Sequence, residues 1–114
     1  MDLEVCLINP EASRYGGDPE RLGEPLFPPL GLMTVAGSTP EKHNVTLLDD
    51  CVEEVDLEID PDVVGLTAMT AAAPRAYEIA DSFRRRGVPV VMGGLHASAL
   101  PSEALEHVDS VVVG

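Results

Sequence analysis

Five short stretches of this chain are apolar with almost no interruption, and that feature limits the folds open to it. Leu3 to Ile8 is broken only by Glu4 and closed by Asn9 and Pro10, while Val45 to Leu48, Val63 to Ala68, Val88 to Met92 and Ser110 to Val113 are of similar character, rich in valine and not alternating. A strand with one face in water alternates apolar and polar side chains; a strand covered on both faces need not, so runs of this kind belong to a parallel sheet flanked by helices. Parallel neighbours require crossovers, and the intervening sequence supplies them. Ala76, Ile79, Ala80 and Phe83 fall at i, i+3, i+4 and i+7, with Gly87 placed to end that helix. Pro101 opens a second, short helix whose expected buried stripe is Leu100, Ala104, Leu105 and Val108. A third begins near Pro28 or Pro29, and its Leu30, Leu32, Met33, Val35 and Ala36 are apolar on more than one face. The connection from Cys51 to Asp60 has room for about one helical turn. Right-handed crossovers then give a single doubly wound α/β domain with a five-stranded sheet, most simply in the flavodoxin-like order 2-1-3-4-5.

Composition narrows the class of partner. A chain of 114 residues fits one core and not two. No apolar run approaches the roughly 20 residues a membrane span needs, and Met1 and Asp2 run directly into the first strand without a basic leader, so a cytoplasmic location is expected. A formal charge of −13 opposes binding to nucleic acid or to an anionic membrane face. Arg84, Arg85 and Arg86 form the one basic run considered, and they fall where a helix ends and complement its dipole. Cys6 and Cys51 match neither a disulfide framework nor a metal cluster and read as free thiols.

Ligands of open parallel sheets bind beyond the carboxyl ends of the strands, so those positions are the ones to interrogate. After the first strand come Asn9 and about 18 residues of loop, longer than most connections in a compact domain. The Gly-x-Gly-x-x-Gly turn of a dinucleotide site is absent there, which leaves Asp49 and Asp50, placed where a ribose-binding acid would stand, as loop and cap residues. A receiver domain would need clustered carboxylates after strands one and three, and those ends read Asn9-Pro10 and Met69-Thr70. The hydroxyl-rich phosphate turn of a flavodoxin is also missing. After strand three, Thr67, Ala68, Met69, Thr70, Ala71, Ala72 and Ala73 lead to Pro74, leaving alanines where a capping side chain would normally stand. Strand four ends in Gly93, Gly94, Leu95 and His96, and paired glycines there let a ligand pass where a Cβ would block it.

Taken together, these pieces resemble the cobalamin-binding domain that precedes the radical-SAM domain in cobalamin-dependent radical-SAM proteins. The resemblance runs through Asn9-Pro10, Phe27-Pro28-Pro29-Leu30-Gly31-Leu32, Thr39-Pro40-Glu41-Lys42-His43, Asp62 to Thr67, Thr70 to Tyr77, Gly93-Gly94-Leu95-His96 and Ala99-Leu100-Pro101, and so covers essentially the whole chain. It implies a site made of Asn9, Thr67, Ala68, Met69, Thr70, Ala71, Gly93, Gly94, Leu95, His96 and Gly114. Classical modules carry Asp-x-His-x-x-Gly after the first strand, then Ser-x-Leu, then Gly-Gly. The first motif, with its cobalt-ligating histidine, is absent here; Thr67-Ala68-Met69 stands for the second, and Gly93-Gly94 matches the third. The resemblance implies that Thr67 hydrogen-bonds the nucleotide tail beside the glycines, and that His96 contacts the cofactor or a following domain. His43 and His107 fall elsewhere and read as structural. It further implies a [4Fe-4S] cluster and S-adenosylmethionine in a downstream radical-SAM domain in cis, of methyltransferase or oxidative cyclase type. The chain is then expected to be the amino-terminal piece of a longer protein and inactive by itself. A flavin- or nucleotide-binding module and a degenerate interaction domain are the alternatives.

Overall fold

Strands β1 (Glu4–Asn9), β2 (Asn44–Asp49), β3 (Val63–Thr67), β4 (Val90–Gly93) and β5 (Ser110–Val111) form one sheet in the order β2-β1-β3-β4-β5, and every neighbouring pair is parallel. A computed structural model describes residues 3–10, 35–50, 55–68 and 72–113. The strand order is the flavodoxin-like one expected. Three consecutive residues of β1, Cys6, Leu7 and Ile8, are buried, which requires cover on both faces and accounts for the unbroken apolar run. In β3 the alternation of Val64 and Leu66 with Gly65 has its own cause: a Cβ at Gly65 would come within 2.7 Å of the Leu7 side chain. A larger residue there would force the Leu7 side chain to move from its place in the core.

The main crossover is α1 (Ala73–Arg85), followed after β4 by α2 (Leu95–Ala99) and α3 (Pro101–Ala104). Ala76, Ile79, Ala80 and Phe83 are completely buried, as their spacing predicts, and they meet Ile8, Val64, Val90 and Met92 in one core. Burying a side chain the size of Phe83 or Ile79 stabilises the fold by about 1.5–3 kcal/mol. Gly87 ends α1 with φ of +81°, a backbone conformation that favours glycine. The arginine run has a structural task at this helix end. Arg86 donates to the Leu57 and Ile59 carbonyls at 2.6 Å each, and Arg84 faces Asp109 at 3.4 Å.

Several expectations need correction. The fourth strand starts at Val90 and not Val88, because Pro89 has no N–H and the Val88 amide bonds back to the Phe83 carbonyl. The fifth is assigned only over Ser110–Val111, although the Val112 amide still reaches the Met92 carbonyl at 2.9 Å. Of the stripe proposed for the Pro101 helix, Ala104 and Val108 are buried, but Leu100 and Leu105 are about half exposed. That helix lasts four residues, too short to present one periodic face, and α2 just before it was not foreseen. Of the helix expected from Pro28 or Pro29, residues 35–38 are helical and Val35 is exposed; its earlier residues lie outside the described ones. Residues 55–60 make a turn and no helix. Among the described residues no helix is long and apolar enough to cross a membrane.

Candidate functional site

The carboxyl ends of the strands divide into two unlike halves. On the β1–β2 side the groups are polar and mutually satisfied. Asn9 donates its Nδ2–H to Asp49 Oδ1 at 3.1 Å, and the Asp50 amide donates to the Asn9 carbonyl at 2.9 Å. Asp50 is fully buried and held by both arms of Arg75, Nε to Oδ2 at 2.8 Å and Nη2 to Oδ1 at 3.0 Å, while Arg75 Nη1 donates to Glu78. Burial by itself opposes the guanidinium charge, but the Asp50 and Glu78 carboxylates more than offset it, so the pKa of Arg75 stands above its ordinary value. The expectation that Asp49 and Asp50 serve as loop and cap residues is therefore corrected. One ties two strand ends together; the other is half of a buried ion pair and is withdrawn from any ribose.

On the β3–β4–β5 side the side chains are small or apolar. Gly94 has φ of +92°, and a Cβ built there would lie 2.4 Å from Thr67 Oγ1 and 3.1 Å from the Ala68 amide nitrogen. The His96 amide donates to the Ala68 carbonyl at 3.0 Å, which closes the tip of β4 onto the tip of β3. Gly94 thus permits backbone to approach backbone, a task beyond the ligand access expected of it. Gly93 behaves differently: the nearest atoms to its ideal Cβ are those of Val112, at 3.9 Å. Nearby, Leu95 is 71% exposed and Val112 and Val113 are 61% exposed. The two glycines differ in setting: a side chain is barred at Gly94 and would meet ordinary contact distances at Gly93. Thr67 and Ala68 lie at this tip, half-buried and buried respectively, and Ala72 occupies the N-cap position of α1 without a side-chain cap, as expected. Met69, Thr70, Ala71 and Gly114 lie outside the described residues.

All three histidines are engaged. His43 Nδ1 accepts from the Leu3 amide at 3.0 Å, at the amino-terminal edge of the sheet. His107 Nδ1 is 3.0 Å from Asp81, and its ring stacks on Tyr77 at 4.1 Å between centroids. His96 is buried, with Nε2 at 2.5 Å from Glu103 Oε2, and meets the edge of the Tyr77 ring. Its Nε2 is thus turned toward α1 and α3. Tyr77 donates to the same Glu103 oxygen at 2.8 Å. A cleft of about 680 Å³ opens on this helical side, lined by Tyr77, His96 and His107 with several carboxylates, and does not include Thr67, Gly93 or Gly94. Among the described residues no cluster of histidine, cysteine, aspartate or glutamate is arranged to hold a metal ion. Burial pushes the Cys6 thiol up to about 11, so it remains protonated and inert; Cys51 lies outside the described residues.

The sequence reading missed Arg75, Tyr77 and Glu103. A signal for the first was present: Arg75 stands four residues before Ile79 and so on the buried stripe of α1, where a charge needs a partner.

Residues 24–114 match the family model described as the B12 binding domain. The chain is 46% identical over 92 residues to a bacteriochlorophyllide d C-8(2)-methyltransferase of Chlorobaculum tepidum, a match covering 80% of this chain and 20% of that protein. It is 35% identical over 88 residues to the C-12(1)-methyltransferase of the same organism, covering 75% of this chain and 19% of the relative. An uncharacterized methyltransferase of Pyrococcus horikoshii is 35% identical over 100 residues, covering 76% and 22%. The chain thus spans about a fifth of the length of these curated relatives. No solved structure matches it.

Proposed function

Because this chain belongs to the B12-binding domain family, we propose that it holds cobalamin over the β3–β4–β5 half of its strand ends and presents it to a radical-SAM domain in cis. The observation that carries this reading is the apolar rim at the β4–β5 tip, where Leu95, Val112 and Val113 stand exposed beside Gly93, whose ideal Cβ would meet, among the described residues, only ordinary contact with Val112 at 3.9 Å. A glycine at a strand end with an apolar rim is a cradle that a side chain would fill, and it suits the apolar body of a corrinoid. When bound, the cofactor would supply methyl-carrying cobalt chemistry. The chain's own part is to bind and orient. Thr67 offers a hydroxyl at the β3 tip, Gly93 leaves room, Leu95 and Val112 exclude water, and Asn9, Ala68, Met69, Thr70, Ala71, His96 and Gly114 complete the proposed surround. Direct contact is least direct for His96, whose Nε2 already meets Glu103.

The methyltransferases among the relatives support methyl transfer over cyclisation as the reaction of the whole protein, with the [4Fe-4S] cluster and S-adenosylmethionine held outside this domain. The two glycines provide the test. Purified chain is incubated with hydroxocobalamin, desalted and examined for corrin absorption. The unaltered chain retains colour. Gly93→Val loses it while its melting temperature and circular dichroism stay near those of the parent. Gly94→Val, by contrast, destabilises the domain, because valine meets both a positive φ and Thr67 Oγ1. A colourless parent, or a Gly93→Val variant that binds as well as the parent, rejects the reading.

A further inference from the structure

The position of the Gly94 tip rests on more than its own backbone. Gly94 stands at the N-cap of α2, and two residues on, His96 bonds through its backbone to Ala68 and through its ring to Glu103. Glu103 Oε2 receives the Tyr77 hydroxyl from α1 at 2.8 Å and meets His96 Nε2 at 2.5 Å, so a single oxygen joins α1, α2 and α3. Tyr77 is in turn clamped, with the His96 ring edge-on at 5.8 Å and the His107 ring stacked at 4.1 Å. His107 is steadied by Asp81, also on α1. Within α2 and α3 His96, Ala97 and Ala104 are buried, while Leu95 is exposed and the flanking Leu100 and Leu105 are about half exposed. Two four- to five-residue helices cannot hold themselves by internal hydrogen bonding. Their register against α1 therefore depends on this polar junction.

We propose that Tyr77 and Glu103 are positioning residues that clasp His96 to α1 and so keep the β4 tip closed on Thr67 and Ala68, fixing the edge of the cofactor surface from behind. The consequence for binding rests on the cobalamin reading above; the clasp itself does not. The carboxylate of Glu103 is suited to the role: the Tyr77 hydroxyl first, and His96 second, hold it below the usual glutamate range, so it stays ionised and accepts from both. Opening the clasp would let His96 leave Ala68, and a corrinoid would then bind only the closed fraction of molecules.

The test measures tip and cofactor separately in the whole chain. Tyr77→Phe keeps the ring between the two histidines and removes only the hydroxyl; Glu103→Ala removes the junction, and Glu103→Gln restores an acceptor for Tyr77. Hydrogen exchange at the His96 amide is expected to quicken roughly tenfold in Tyr77→Phe and more in Glu103→Ala, with Glu103→Gln returning most of the protection. The amides of Val64 and Val90 serve as remote references and are expected to exchange at the parent's rate. Uptake of hydroxocobalamin weakens in the same order. Unchanged exchange at His96, or equal acceleration at the remote amides, overturns the clasp. Quickened exchange at His96 in a chain that takes up no corrinoid at all leaves the clasp standing and removes the cofactor reading.

Discussion

At the amino-terminal rim of the sheet, side chains reach across to neighbouring strands. Asp62 accepts from the Glu4 amide at 2.7 Å while its own amide returns a bond to the Glu4 carbonyl, and Asp109 exchanges the same pair of bonds with Val90. His43 receives the Leu3 amide, and Asn44 donates to the Glu4 carboxylate. At the carboxyl-terminal rim the β3–β4 junction is made by backbone meeting backbone, through a glycine and an alanine, and leucine and valine are left facing water. Both rims begin from the same problem, strand ends whose backbone groups lack a ladder partner. One solves it with polar side chains and becomes a finished surface. The other solves it by withholding side chains, and a surface so stripped can accommodate a large ligand.

The contrast can be broken most severely on the polar half of the carboxyl rim. Arg75→Met strands the Asp50 carboxylate in the core, with an expected loss of about 3–5 kcal/mol in denaturant unfolding. Adding Asp50→Leu to that variant is expected to recover most of it, because an apolar pair no longer has a buried charge to solvate. If the double variant is as unstable as the single one, the pair has a role beyond mutual neutralisation. A smaller effect is expected at the amino rim, where Asp109→Ala removes the carboxylate to which the Val90 amide donates and costs about 1 kcal/mol, with no change in corrinoid uptake. A change in uptake would mean that the two rims are not separate.

The smallest effect is a matter of pH. The Glu103 carboxylate is held low by Tyr77 and His96, so the stability it contributes is present above the ordinary glutamate range and lost as pH falls through its lowered value. Burial, with the Glu103 hydrogen bond second, raises Tyr77 above its ordinary value of 10, so its contribution is present below that pH and lost as pH rises beyond it. Melting temperature against pH is expected to fall slightly on both sides of a neutral plateau, and Tyr77→Phe is expected to abolish the alkaline fall. An alkaline fall that persists in Tyr77→Phe assigns it to other groups.

The sheet was legible in the sequence because unalternating valine-rich runs have few other uses, and α1 because four core residues fall on one face. The strand-end glycines were recognisable as special, yet the difference between them was not, since a glycine that lets another strand's backbone approach and one whose side chain would meet only ordinary contacts look alike in sequence. Arg75 was overlooked among alanines and a proline, although its place on the buried stripe demanded an acid such as Asp50. The clasp was illegible for a different reason. His96 and Glu103 lie seven residues apart, which would set them on one face of a continuous helix, but the chain breaks at Leu100 and brings them together by a turn that no periodicity describes.

The hold of Arg86 on the Leu57 and Ile59 carbonyls has a mechanical meaning. Helix α1 departs from just beyond β3, and its far end is moored to the segment that leads into β3, so the helix and that strand form a closed brace. A push delivered at the carboxyl-terminal rim is then carried into both ends of the brace. Displacement of the β3 tip is then expected to move helix and strand as one body.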